Sequence, residues 1–287
     1  MKKGIKIDEW VMDLIVDPLN KDSLFFNDKN NKIKSSYGRE YEVVDGVMDL
    51  RIRNTSVTGD QKVWELGQVH YEKWLKDIKS RNDDQDYDFE NKVDQNVYKD
   101  LDMNGRVLDI GGGDGRLRAF VDNDSYVVCD PFLDASHLKE KNHILLKTYP
   151  FMANQFNFVC SYAEHLPFKS MSFDIVHMRS CIDHFLNPVL ALNAAYRVLK
   201  KNGSIVIGMY VEGGKSGTQE KIKNYIKDLL GNIGIDRFKD YHVWHPTYSE
   251  LVSLIEESDF VVEKEVWQPG YNDTVVYLQC KKNIKIK

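Results

Sequence analysis

From Arg106 onward, short apolar runs alternate with stretches whose apolar residues recur every three or four positions. The runs Arg106–Ile110, Tyr126–Cys129, Phe156–Cys160, Phe173–Met178, Ser204–Tyr210, Val261–Trp267 and Thr274–Cys280 predict strands. Ala191–Leu199 keeps Ala191, Leu192, Ala195, Val198 and Leu199 on one face. Gln219–Leu230 carries the stripe Ile222, Tyr225, Ile226, Leu229 and Leu230, and Tyr248–Glu257 begins after Pro246-Thr247. These three predict helices. Strands alternating with helices over residues 101–287 predict an α/β fold: a seven-stranded, mostly parallel sheet with helices on both faces.

The chain before Arg106 reads differently. Residues 1–54 hold short strand-like pieces, and Asp45-Gly46 between Tyr41–Val44 and Val47–Leu50 predicts a hairpin turn. This is a small α/β or β module. Residues 55–100 form a helical connector. Trp64, Leu66, Val69, Tyr71, Trp74, Leu75 and Ile78 carry its helical spacing, and Ser80–Lys92 reads as a solvent-facing link rich in charge.

Composition narrows the class. Apolar residues make up 42% and charged residues 29%, which is soluble globular usage. The formal net charge of −5 argues against nucleic acid, whose binders depend on neutralising phosphates. The four cysteines, Cys129, Cys160, Cys181 and Cys280, form no C-x-x-C clamp, so no metal is expected and a reduced, cytoplasmic setting fits. No apolar run nears the roughly 20 residues a bilayer span needs, and MKKGIKIDEW lacks the apolar core of a signal peptide.

The chemistry concentrates after the first strand of the α/β region. Val107-Leu108-Asp109-Ile110 runs into Gly111-Gly112-Gly113-Asp114-Gly115, and a helix is expected next. Glycines permit positive φ and close approach of a ligand, and the helix start would offer free N–H groups. The dinucleotide pattern G-x-G-x-x-G fails here, because Arg116 stands at its last glycine when it starts at Gly111. Asp130 ends the next strand about 20 residues on, where a carboxylate can accept both hydroxyls of a ribose.

Asp109, Gly111, Gly113 and Gly115 resemble the D-x-G-x-G-x-G motif of class I, Rossmann-like S-adenosylmethionine-dependent methyltransferases. Ser161-Tyr162-Ala163-Glu164-His165-Leu166-Pro167-Phe168 is similar to that family's adenine loop, with Tyr162 where an Asp is usual. Ser172-Phe173-Asp174-Ile175-Val176 matches its fourth strand. Arg197-Val198-Leu199-Lys200-Lys201-Asn202-Gly203 looks like its R-V-L-K-P-G-G segment, with Asn202-Gly203 expected to supply a left-handed turn. The resemblance implies S-adenosyl-L-methionine as cofactor, with Asp109, Gly111, Gly113, Gly115, Asp130, Ala163, Glu164 and Arg179 as its binding set. Asp109 would meet the methionyl ammonium, directly or through water.

Substrate should meet cofactor beyond the carboxyl ends of the strands. Arg179–Phe185 faces that space, so His184 is the first candidate base and Asp183 its partner or alternative. His242 and His245 form a second cluster, and Tyr210, Tyr241, Trp244 and Tyr248 are candidates to line an acceptor pocket. His177 reads as core. Residues 13–24 and 34–48 resemble the zinc-ribbon-like activators of tRNA and release-factor methyltransferases. Asp17, Asn20, Lys34 and Tyr37 replace the four cysteines, so the module is expected to be metal-free and used for docking, substrate contact or a homodimer. The expected function is methylation, at oxygen, of a small molecule or sugar acceptor. RNA or protein methylation and an inactive cofactor-binding scaffold are the alternatives. No N-P-P-Y motif follows the fourth strand, which argues against base-amine or glutamine modification.

Overall fold

A computed structural model describes residues 5–27, 32–52, 64–71, 73, 86–135, 143–215, 242, 244–270 and 273–284. The helix expected over Gln219–Leu230, Tyr241, and residues 55–63, 72 and 74–85 of the connector lie outside the described residues.

Among the described residues the strands form one eleven-stranded sheet. Its α/β part comprises β5 (Val107–Ile110), β6 (Tyr126–Asp130), β7 (Asn157–Cys160), β8 (Phe173–Arg179), β9 (Leu199–Tyr210), β10 (Phe260–Trp267) and β11 (Val275–Lys282). These follow the predicted strands closely. Their order is β7-β6-β5-β8-β9-β11-β10. The first five are mutually parallel, and β11 runs antiparallel to both β9 and β10. The order reverses on either side of β5, so a crevice opens beyond the carboxyl ends of β5 and β8.

Strand side chains alternate between two apolar layers. Leu108, Ile110, Val127, Cys129, Val176 and Met178 pack on one face with the helices Pro188–Val198 and Tyr248–Glu257. Val107, Tyr126, Val128, Ile175 and Tyr277 face the other way, against Val97, Tyr98 and Leu101. Both faces are therefore covered, which a parallel sheet requires. Helix Tyr248–Glu257 starts in a capping box between Thr247 and Glu250, as the Pro-Thr start signal implied.

The N-terminal strands β1 (Leu24–Asn27), β2 (Lys32–Ser35), β3 (Glu40–Val44) and β4 (Val47–Asp49) form an antiparallel meander. Asp45 and Gly46 take φ of 51° and 87° at the predicted hairpin turn. β4 then pairs in parallel with β7, so the module continues the sheet and covers its edge. Asp17 is fully buried in this module. It accepts hydrogen bonds from the N–H groups of Leu19 (2.8 Å) and Asn20 (3.1 Å) and from the Tyr41 hydroxyl (2.9 Å). A carboxylate thus organises the turn where the resemblance places a cysteine. Asn20, Lys34 and Tyr37 are exposed.

Three local expectations are corrected. Ser80–Lys92 does not end as a solvent-facing link. Tyr87–Tyr98 is a helix capped by the Asp86 side chain, and it buries Tyr87, Val93, Asp94, Val97 and Tyr98. The glycine turn leads into a four-residue 3-10 turn, Arg116–Ala119, rather than an α-helix. Only a short span separates Gly115 from β6, and Asp122 starts a second turn within it. Asn202 and Gly203 do not take left-handed angles. β9 begins at Leu199, and Gly203 is needed there because a Cβ would lie 2.8 Å from the Asp174 carbonyl oxygen.

Asp17→Ala should lower unfolding free energy by about 2–3 kcal/mol in urea titration, since it orphans a buried hydroxyl and two N–H groups. Burial pushes the Asp17 carboxyl up, but the Leu19, Tyr41 and Asn20 hydrogen bonds and Arg39 together hold it below 3.8. Its contribution is therefore present above pH 3.8 and lost as pH falls through the lower folded value. Asp17→Asn should remove that part of the acid-side pH dependence.

Candidate active site

A cavity of about 380 Å³ opens at the carboxyl ends of β5, β6, β7 and β8. Its floor is Ile110, Gly111 and Gly113, its sides are Cys129, Asp130, Ser161 and Cys181, and the helical residues 64–71 close it with Trp64, Gln68 and Tyr71. Gly111 takes φ of 67°, and a Cβ there would lie 2.7 Å from Cβ of Cys181. Gly113, at φ 53°, has nothing within 4 Å of where a Cβ would stand. The loop is thus tight against β8 at one glycine and open towards the cavity at the next. Ser180, on the opposite wall, also has positive φ (49°), a strained conformation for a serine.

Asp130 ends β6, is buried, and accepts N–H bonds from Gly113 (3.0 Å) and Phe132 (2.8 Å). Burial is the main influence on its carboxyl and, with the charges of Asp109 and Asp114, outweighs those two bonds, so its pKa rises to about 6. Ala163 and Glu164 form the wall contributed by the loop after β7. Burial likewise raises the Glu164 carboxyl, which accepts from the Asn187 N–H at 3.1 Å.

Asp109, Gly115 and Arg179 lie off the cavity wall. Asp109 points into the sheet face opposite Leu108 and Ile110. Its Oδ2 accepts from the Tyr126 hydroxyl at 2.6 Å, and its Oδ1 lies 2.7 Å from Nδ1 of His177. His177 Nε2 lies 2.9 Å from the Tyr98 hydroxyl. Burial raises both tyrosines well above 10, so each keeps its proton to donate. These partners assign His177 a proton on Nδ1. The reading of Asp109 as a direct partner of a ligand ammonium is corrected on this geometry: its oxygens are engaged beneath the loop. A Cβ on Gly112 would meet Asp109 Oδ2 at 2.5 Å, so the turn rests on this carboxylate. Gly115 shapes the end of the turn at φ 76°. Arg179 pairs with the buried Asp94 at 2.7 Å, which ties helix Tyr87–Tyr98 to the end of β8.

His184 is on the cavity wall. The Trp64 indole N–H donates to its carbonyl at 2.9 Å, and the Tyr71 hydroxyl lies 3.4 Å from its Nε2. Its ring stacks on His242 with centroids 4.3 Å apart, His242 Nε2 lies 3.6 Å from Asp183 Oδ2, and His245 is 5.2 Å from His242. The two candidate clusters are therefore one group. The aromatic wall is not the one expected. Tyr210, Trp244 and Tyr248 stand away from the cavity, and Tyr248 is held by Glu265 and Trp267. Trp64, Tyr71, Phe132, Tyr162 and Phe185 supply it instead. Trp64, Gln68 and Tyr71 were missed; their i, i+4, i+7 spacing within a polar connector was the available signal.

Residues 108–207 match the family model described as a methyltransferase domain. The match runs from β5 into β9 and takes in about a third of the chain. Three solved structures show how the domain compares. An S-adenosylmethionine-dependent methyltransferase from Thermotoga maritima is 21% identical, with a TM-score of 0.49 over 79% of this chain and 100% of its own. Magnesium protoporphyrin IX methyltransferase from Synechocystis, with S-adenosylhomocysteine bound, is 12% identical, with a TM-score of 0.46 over 80% and 90%. The [4+2]-cyclase SpnF is 13% identical, with a TM-score of 0.52 over 82% and 100%. The likeness to SpnF is one of fold alone, and the site must argue for its own chemistry.

Asp109→Ala should cost about 3–5 kcal/mol of unfolding free energy, because it strips two buried partners at once. A variant as stable as wild type would return Asp109 to a ligand-contact role.

Proposed function

We propose that this methyltransferase moves the methyl group of S-adenosylmethionine to a hydroxyl oxygen of a small molecule or glycan. The observation that carries the reading is the placement of His184: an imidazole on the wall of a partly covered, aromatic cavity that also holds Asp130 and the glycine turn. A roofed cavity suits a small acceptor better than a macromolecular surface. The net charge of −5 also disfavours RNA.

In this reading Gly111 and Gly113 receive the methionyl end, Asp130 accepts from the ribose hydroxyls, and Ala163 and Glu164 border the adenine. Asp109 holds the turn from beneath, and Arg179 positions the end of β8 through Asp94. His184 would face the acceptor hydroxyl. The bound donor would supply its methyl group to that oxygen, the C–S bond breaking to a thioether as the C–O bond forms. The hydroxyl proton passes to His184. The sulfonium is already activated, so alignment supplies much of the rate, and proton removal adds the rest. Trp64, Tyr71 and Phe132 would exclude water from the transfer.

Isothermal titration calorimetry should find micromolar binding of S-adenosylmethionine and of its demethylated product, with none for NAD; absence of S-adenosylmethionine binding would overturn the reading. His184→Ala should lower kcat about a hundredfold or more while the cofactor Kd moves less than threefold. Unchanged turnover would remove His184 from the chemistry.

A pH series tests Asp130. Ionised Asp130 is the form that accepts from ribose, so cofactor affinity should weaken as pH falls through about 6. The sign for folding is opposite: a raised carboxyl favours the fold at low pH, and that contribution fades as pH rises through 6. Asp130→Asn should bind at least about tenfold more weakly and lose the pH step in affinity. A wild-type affinity flat from pH 5 to 7 would count against the assignment.

A further inference from the structure

The acceptor side of the cavity carries more ligating chemistry than one proton transfer uses. Asp183 and His184 are neighbours in the 3-10 turn Ile182–His184 after β8, and His242 reaches them from the chain after β9. One carboxylate oxygen and one ring nitrogen from each histidine lie within 4.8 Å of one another. Asp183 Oδ1 is buried and, among the described residues, accepts no hydrogen bond. A carboxylate oxygen withdrawn from water without a donor is costly, and a bound cation removes that cost. Each of the two stacked imidazoles offers one ring nitrogen within that distance.

We propose that Asp183, His184 and His242 bind one divalent first-row transition-metal ion at the edge of the cofactor cavity, where it holds the acceptor oxygen. Two nitrogens and one carboxylate oxygen suit Zn²⁺, Co²⁺ or Mn²⁺, whereas Mg²⁺ and Ca²⁺ prefer oxygen-only shells. Three protein ligands leave a position open for the hydroxyl. Metal–ligand bonds of about 2.0–2.2 Å require the three groups to close on the ion. This deepens the O-methylation reading and rests on it. The ion lowers the pKa of the coordinated hydroxyl, which gives its proton to His245 or to water, and the oxygen then takes the methyl group as above. His184 would then act as a ligand rather than as the proton acceptor itself.

The distance along the chain from Asp183 to His242 hides this group from any spacing motif.

The test uses the full chain freed of metal by a chelator. Co²⁺ is titrated while its visible d–d absorption is followed, and Zn²⁺ and Mg²⁺ are titrated by calorimetry. One Co²⁺ or Zn²⁺ per chain is expected, at least tenfold tighter than Mg²⁺. His242→Ala and Asp183→Asn should each weaken it tenfold or more; circular dichroism confirms that both variants fold. No binding, or binding that neither substitution changes, overturns the proposal. S-adenosylmethionine is titrated into the same samples. Cofactor binding and turnover without ion binding would leave O-methylation standing with His184 as the base and the ion site refuted. Ion binding without cofactor binding would refute the reading of the cavity and leave the ion site standing.

Discussion

The buried carboxylate of Asp109 is the constraint around which the active end of this molecule is arranged. It lies on β5 and binds Tyr126 on β6 and His177 on β8, and His177 in turn meets Tyr98 on the helix that covers this face. Side-chain hydrogen bonds thereby fasten the three central strands and a helix at one level of the sheet. A buried charge survives only where donors surround it, and here two are committed to it. The same carboxylate fixes the turn above it, since Gly112 passes too close for any side chain. Polar groups on one face of the sheet thus set the height of a loop that serves the cavity at its end.

The other boundaries of the cavity follow from how the sheet is covered. β5 and β6 end together, so the glycine turn and Asp130 face each other, and a Gly113 N–H bond to Asp130 closes the gap. β8 runs past that level to Arg179, and the strained Ser180 swings the chain back so that Cys181 and His184 face the turn. The roof comes from residues far upstream. Trp64 is pinned to the carbonyl of His184, packs edge-on against Tyr162, and leaves Tyr71 over Phe132. A side chain of the acceptor wall and the backbone that carries it are therefore both touched by the covering helix. In the proposed reaction, entry of an acceptor and exclusion of water would both fall to that one contact set.

What sequence could reveal depended on whether the signal was local. The strands of the α/β region, the Asp45-Gly46 hairpin and the glycine turn all rest on short patterns with a direct backbone meaning, and the structure has them where those patterns fall. The helix Tyr87–Tyr98 was hidden because its first turn sits in a run of charges, although Tyr87, Val93, Val97 and Tyr98 carry the apolar stripe. The direction of Asp109 could not be read from its motif: strand alternation places it on the face opposite Ile110, where Tyr126 and His177 wait. The roof and the joining of His184 with His242 depend on contacts between distant segments, which no local period encodes. Tyr162 in place of an acid gains a meaning only in three dimensions, as the surface on which Trp64 rests.

The charge balance of the cavity gives the proposed reaction a direction. Asp130 and Glu164 are acids held in a low-dielectric wall, and their burial keeps protons on them more readily than water would. A ligand bearing a sulfonium and an ammonium shifts that balance, because nearby positive charge favours the ionised carboxylates. Transfer of the methyl group abolishes the sulfonium charge, while the rest of the ligand is unchanged. The wall that welcomed a cation then faces a neutral thioether, and the attraction that drew the donor in weakens for its product. In the proposed reaction, burial of these acids would couple the loss of one charge in the chemical step to a weaker hold on what remains.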